Sequence, residues 1–96
     1  LEATATAEAG KLPKDGLVAA FNDAYKQGKE WYAKAAPGTE GNQANLAKAV
    51  EQFVKCEAIY QRLDAEKMMD EELDRLIREA SMLKYGCLKM VVLSQQ

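Results

Sequence analysis

The sequence predicts an all-α protein, an antiparallel three-helix bundle preceded by an extended N-terminal arm. Three observations carry that expectation. Apolar residues recur at alternating spacings of three and four along three stretches, about 15–36, 43–65 and 70–92, the mark of helices that each bury one stripe. Turn-forming residues at 37–42 and an acidic run beginning at Asp64 separate the stretches. The chain has 96 residues, 48% of them hydrophobic, which suffices for a single core of packed helices. The expected organisation is an arm over residues 1–14 and one helical domain over 15–96.

The opening stretch, LEATATAEAGKLPKDG, is rich in alanine and threonine and shows no helical stripe. It reads as an extended arm laid on the domain or on a partner, since an apolar-poor terminus frays unless something holds it. A start at Leu1 is compatible with a fragment, a trimmed sequence, or the mature end left when a targeting peptide is removed, which would place the protein in an organelle. Pro13 ends the arm, and Asp15 is a fair N-cap for the first helix.

In that helix Leu17, Phe21, Ala24, Gly28, Trp31 and Ala35 recur at spacings of 4, 3, 4, 3 and 4, with Tyr25 and Tyr32 beside the seam. Gly28 inside the stripe is unfavourable for a helix by about 1 kcal/mol relative to alanine, so it is expected where another helix comes close. Pro37 and Gly38 stop the helix at Ala36, and Asn42 or Asn45 can cap the next one. The second seam is the most regular: Leu46, Ala49, Phe53, Cys56, Tyr60 and Leu63, widened by Val50 and Ile59 as suits a helix with neighbours on two sides.

From Asp64 onward, Asp64, Glu66, Asp70, Glu71, Glu72 and Asp74 crowd into eleven residues. No calcium-loop pattern accompanies them, and Asp70 to Glu72 stand where a helix start favours negative charge, so no metal site is expected. Glu71 with Arg75 and Asp74 with Arg78 are spaced as i, i+4 ion pairs. The third seam runs through Leu73, Leu76, Ala80, Leu83, Cys87 and Met90, which should pack antiparallel on the second at a shallow angle. Met82, Leu88, Val91, Val92 and Leu93 fall off it. More apolar surface stands here than a small bundle consumes, so these five residues are the expected partner-binding surface.

The totals exclude several classes of function. A net charge of −2 gives no electrostatic reason to expect nucleic acid or an anionic membrane as partner. The absence of histidine removes the usual general base and the commonest transition-metal ligand. The longest apolar run, residues 90–93, is far short of the roughly 18–20 residues that cross a bilayer, so the chain reads as soluble or peripheral, with the compartment unspecified. Cys56 and Cys87 are expected to be free thiols. If the second and third helices form a hairpin turning near Lys67, their sulfurs stand on the order of 13 Å apart along the axes, beyond the roughly 7 Å limit for disulfide-bonded Cα atoms.

Ala24-Tyr25-Lys26-Gln27-Gly28 is similar to the end of the first helix of a tetratricopeptide repeat, and Ala49, Phe53 and Cys56 resemble the alanine, aromatic and small residues of its second. The resemblance covers about forty residues and implies a helical hairpin used for protein interaction, without catalysis. The expected function is therefore a non-catalytic interaction or scaffold protein, an accessory subunit that docks onto other protein subunits through its arm and its C-terminal apolar helix. No cofactor is expected. Two alternatives stay open. One is a small helical accessory subunit at the periphery of a photosynthetic or respiratory membrane complex. The other is a ligand or pigment carrier that lines an inter-helix pocket with Trp31, Tyr32, Tyr25, Phe53 and Tyr60.

Overall fold

A computed structural model describes residues 2–94. Leu1, on which the reading of a processed start rests, and Gln95 and Gln96 lie outside the described residues. Among the described residues there are four helices, α1 (Glu2–Gly10), α2 (Leu17–Ala33), α3 (Asn42–Ala65) and α4 (Glu71–Ser94), with a 3-10 turn, Lys14–Gly16, before α2. No strand occurs among the described residues. The structure corrects the expected architecture in two ways. The N-terminal segment is a helix and not an extended arm, and the helices do not form a three-helix bundle.

The hub is α3. Helices α2, α4 and α1 all pack on it, whereas α2 and α4 meet only over a short stretch. This arrangement follows from how much of α3 is apolar. Besides the seam residues Leu46, Ala49, Phe53, Cys56 and Leu63, it buries Val50, Val54, Ala58 and Ile59, so its buried arc is far wider than one stripe. A helix apolar over that much of its circumference needs cover on several sides.

Against α2, the contacts descend along one helix as they climb the other. Asn45 meets Lys34, Phe53 meets Gly28, and the Cys56 thiol lies 3.9 Å from the Phe21 carbonyl. Gly28 lies directly against the Phe53 ring, where its place in the stripe suggested a close neighbour. A Cβ there would stand 2.5 Å from Cε1 of Phe53.

Helix α1 is held by small residues and one cation. Ala5 and Ala9, one turn apart, are buried in the same cluster as the cores of the other helices, and Leu12 packs on its edge. The Arg62 guanidinium on α3 reaches across and donates from Nη1 to the Ala9 carbonyl at 2.8 Å and the Leu12 carbonyl at 2.9 Å. Those carbonyls belong to the last turn of α1 and the residues just after it; the Ala9 carbonyl also accepts the Leu12 amide at 3.2 Å, and Arg62 adds a C-cap supplied from another helix.

The remaining helix ends are also resolved differently from expectation in places. Asp15 lies within the 3-10 turn, and Gly16 occupies the cap position of α2 without a side-chain bond. Gly41, in the left-handed region at φ 77°, precedes α3, and Asn45 donates Nδ2 to the Lys34 carbonyl at 3.0 Å, capping the end of α2 and not its own helix. Helix α3 ends with Lys67 at φ 58°. There the Met68 amide donates to the Leu63 carbonyl at 2.8 Å and the Lys67 amide to the Asp64 carbonyl at 3.0 Å, the two bonds of a Schellman cap. Asp70 caps α4 by accepting the Leu73 amide on Oδ1 at 2.8 Å.

Candidate interaction surface

Helix α4 presents two faces. The inner one is continuous: Leu73, Leu76, Ile77, Ala80, Lys84 and Cys87 are buried, and Val91, one turn past Cys87 on the same line, is half-buried and packs on the core. The outer face changes character along its length. Its first half carries Glu71, Asp74, Arg75 and Arg78, all at least partly exposed; its second half carries Met82, Tyr85, Leu88, Val92 and Leu93. Met82 is 66% exposed, Tyr85 65%, Val92 and Leu93 56% each, and Leu88 41%.

Of the five residues expected at a partner surface, four lie exposed there and Val91 is turned inward. Tyr85 was not among them, yet it stands three residues after Met82 and three before Leu88, so helical spacing alone places it on that face.

Most charges of the first half are paired within the chain. Arg75 pairs with Glu72 at 2.7 Å, in place of the Glu71 pairing that spacing suggested, and Arg78 pairs with Asp74. Glu79 accepts the Tyr25 hydroxyl at 2.6 Å and the Lys29 ammonium at 3.1 Å, joining α4 to α2. The Tyr25 hydrogen bond, reinforced by Lys29, holds the Glu79 carboxyl below its ordinary range, and burial together with that carboxylate pushes the Tyr25 phenol up. Among the described residues no group of three or more acidic or cysteine side chains is placed to hold a metal ion.

A polar cluster lies beneath the apolar half. The Lys84 ammonium, on a side chain only 8% exposed, donates to Glu57 Oε1 at 2.7 Å, and Ser81 Oγ donates to Glu57 Oε2 at 3.0 Å. The same ammonium sits 4.7 Å from the Tyr85 ring centroid. These groups satisfy one another, as a charge buried at a helix interface must. They pin α4 to α3 and border a groove of about 420 Å³ that Thr6 and Tyr60 also line. A second hollow of about 210 Å³ lies between α1, α2 and α3, lined by Ala5, Ala9, Ala24, Gln52 and Ile59 among others.

The five aromatic residues considered for a ligand pocket are not gathered into either hollow. Only Tyr60 borders one. Phe53 is closed against Gly28, Tyr25 is tied to Glu79, and the Trp31 ring has the ammonium groups of Lys34 and Lys48 at 4.8 and 4.4 Å. Both cysteines are free and buried; burial pushes the Cys56 thiol up to about 12 and raises that of Cys87 as well. Among the described residues no helix is long and apolar enough to cross a membrane. No family model, curated protein or solved structure matches the chain.

Proposed function

We propose that this chain is a non-catalytic helical interaction protein that joins a larger protein assembly as an accessory subunit, docking through the outer face of the second half of α4. One observation carries the reading: the change of that face from charges, most of them paired, to exposed Met82, Tyr85, Leu88, Val92 and Leu93 around one exposed lysine, Lys89, while the inner face stays on the core. Exposed apolar residues scattered singly need no explanation, but five on one stretch of one helix mark a surface that another molecule covers. The N-terminal segment plays no separate docking part in this reading, because Ala5 and Ala9 are already engaged with the core.

The test compares the chain with a variant carrying Met82→Ser, Leu88→Ser, Val92→Ser and Leu93→Ser. Each is immobilised and exposed to extract of the source organism, with helicity checked by circular dichroism. The expected result is a defined protein retained by the unaltered chain and lost from the variant, whose helicity is unchanged. Identical retention by both would overturn the reading.

A further inference from the structure

We infer that in the free chain this face is covered by a second copy, bound through α4 in an antiparallel, two-fold symmetric pair that must part for the face to dock on another protein; the inference rests on the docking role proposed above. Within the apolar half of α4, Met82, Gly86, Lys89 and Leu93 are spaced by 4, 3 and 4 residues, a seam that lies on the side away from the core. The spacing reads the same in both directions. In an antiparallel pair crossing midway between Cys87 and Leu88, Met82 therefore meets Leu93 of the second copy, and Gly86 meets its Lys89. Each contact occurs twice, as an isologous interface requires. On one flank Tyr85 faces Val92 of the other copy, again twice.

Two further observations favour this occupant. Gly86 sits in the middle of a helix, where glycine is among the least favourable residues, and nothing within its own chain explains it, since a Cβ there would meet nothing within 4 Å. At the crossing it gives room for the stem of the opposing Lys89, whose ammonium can run out to solvent, so the one charge in the seam need not be buried. The area also fits. The exposed fractions of Met82, Tyr85, Val92 and Leu93, the large apolar residues this register brings together, correspond to roughly 450 Å² per copy, so a pair covers at most about 900 Å², within the range of weak, reversible contacts. A surface at the low end of specific interfaces suits a weak, reversible dimer; because area alone does not set affinity, association is to be followed from ~1 to ~100 µM.

Sedimentation velocity across that concentration range tests the pairing, using the full chain, Met82→Lys, Leu93→Glu and the combined double substitution. Both substituted positions are exposed, and circular dichroism confirms that each variant is folded. The unaltered chain is expected to dimerise, each single substitution to weaken association at least tenfold, and the double substitution to recover most of it, because the two introduced charges then face each other across the pair. A chain that stays monomeric at the highest concentration, single variants that dimerise unchanged, or a double variant that fails to recover overturns the inference. The serine variant described above separates the two proposals. If the chain is monomeric but that variant loses its captured protein, only the self-pairing falls; if it loses nothing, the docking role falls too.

Discussion

Replacing Gly28 by alanine drives one methyl group into the ring of the buried Phe53. The added Cβ would stand 2.5 Å from Cε1, 2.8 Å from Cδ1 and 3.0 Å from Cζ of Phe53, against an ordinary carbon–carbon contact of about 3.5–4.0 Å. Relief requires either that α2 back away from α3 by about 1 Å or that Phe53 leave its rotamer. Both are resisted, because Phe53 is wholly buried and the neighbouring Phe21 and Cys56 are too. Overpacking by a methyl group costs about 1–3 kcal/mol, and three ring carbons struck at once place this case in the upper part of that range. Against it stands the gain in helix propensity from glycine to alanine, at most about 1 kcal/mol. The net expectation is a loss of about 1–2 kcal/mol, which lowers the melting temperature of a domain this size by roughly 5–15 °C. Thermal and urea unfolding followed by far-ultraviolet circular dichroism measures it. The decisive control is the same substitution in a Phe53→Leu background, where the ring is gone and alanine should be neutral or stabilising by up to about 1 kcal/mol. If Gly28→Ala is as stable as the parent while Phe53 is present, the close approach of α2 and α3 does not constrain this position and the reasoning fails.

At Lys67, where a side chain is held in the left-handed region, Lys67→Gly should stabilise by up to about 1 kcal/mol, read as a higher urea midpoint; a lower midpoint would mean that the lysine side chain itself contributes. Arg62→Met keeps the aliphatic stem but removes the two bonds to the Ala9 and Leu12 carbonyls, so hydrogen exchange should accelerate in α1 while the amides of α3 and α4 keep their protection. Glu57→Ala leaves the Lys84 ammonium buried without its carboxylate and should cost about 2–4 kcal/mol, more than Lys84→Met, which removes the charge and fills the space; the reverse order in urea unfolding would contradict the pairing. The Cys56 thiol is raised by burial from 9.0 to about 12. Its contribution to stability is therefore complete below pH 9 and is lost as pH climbs from 9 towards 12, where the unfolded chain releases a proton that the folded chain retains. A Cys56→Ala variant should show a decline shallower by at most about 1.4 kcal/mol per pH unit in that window.

What the sequence shows of this fold depends on the size of the side chains that carry it. The seams of α2, α3 and α4 stand out because Leu17, Phe21, Phe53, Leu63 and Leu73 are large and regularly spaced. Helix α1 does not stand out, because its buried stripe is only Ala5 and Ala9 and its anchor is Arg62, fifty-three residues from Ala9 in sequence. A stripe also says that a helix has a buried face without saying how many neighbours share it. Val50 and Ile59 indicated two neighbours for α3; the burial of Val54 and Ala58 completes the wider arc that makes it the hub. Caps were only partly legible: Asp70, expected as charge favourable at a helix start, also caps α4 with its side chain, Asp15, expected as a cap, is not one, and Asn45 serves α2 instead of its own helix. The apolar surplus on α4 could be read from composition, but Val91 could not be separated from Val92 until the inner line through Ala80, Lys84 and Cys87 was fixed in space.

That separation bears on what the surplus is for. Had the end of α4 merely peeled off the core, inner and outer residues would be exposed together. Instead Cys87 is fully buried while Leu88, the next residue, is 41% exposed, so the helix stays seated where its outer face turns apolar. Packing therefore determines Ala80, Lys84 and Cys87 and leaves Met82, Tyr85, Leu88, Val92 and Leu93 free to be polar without cost to the fold. Serine at Met82 or Val92 should shift unfolding by no more than about 0.5 kcal/mol, whereas alanine at Ile77 should cost about 2–5 kcal/mol. Two demands thus act on one helix, and only the inner face answers to folding. The outer face is apolar where nothing in the chain requires it, which is the observation behind the docking role proposed above.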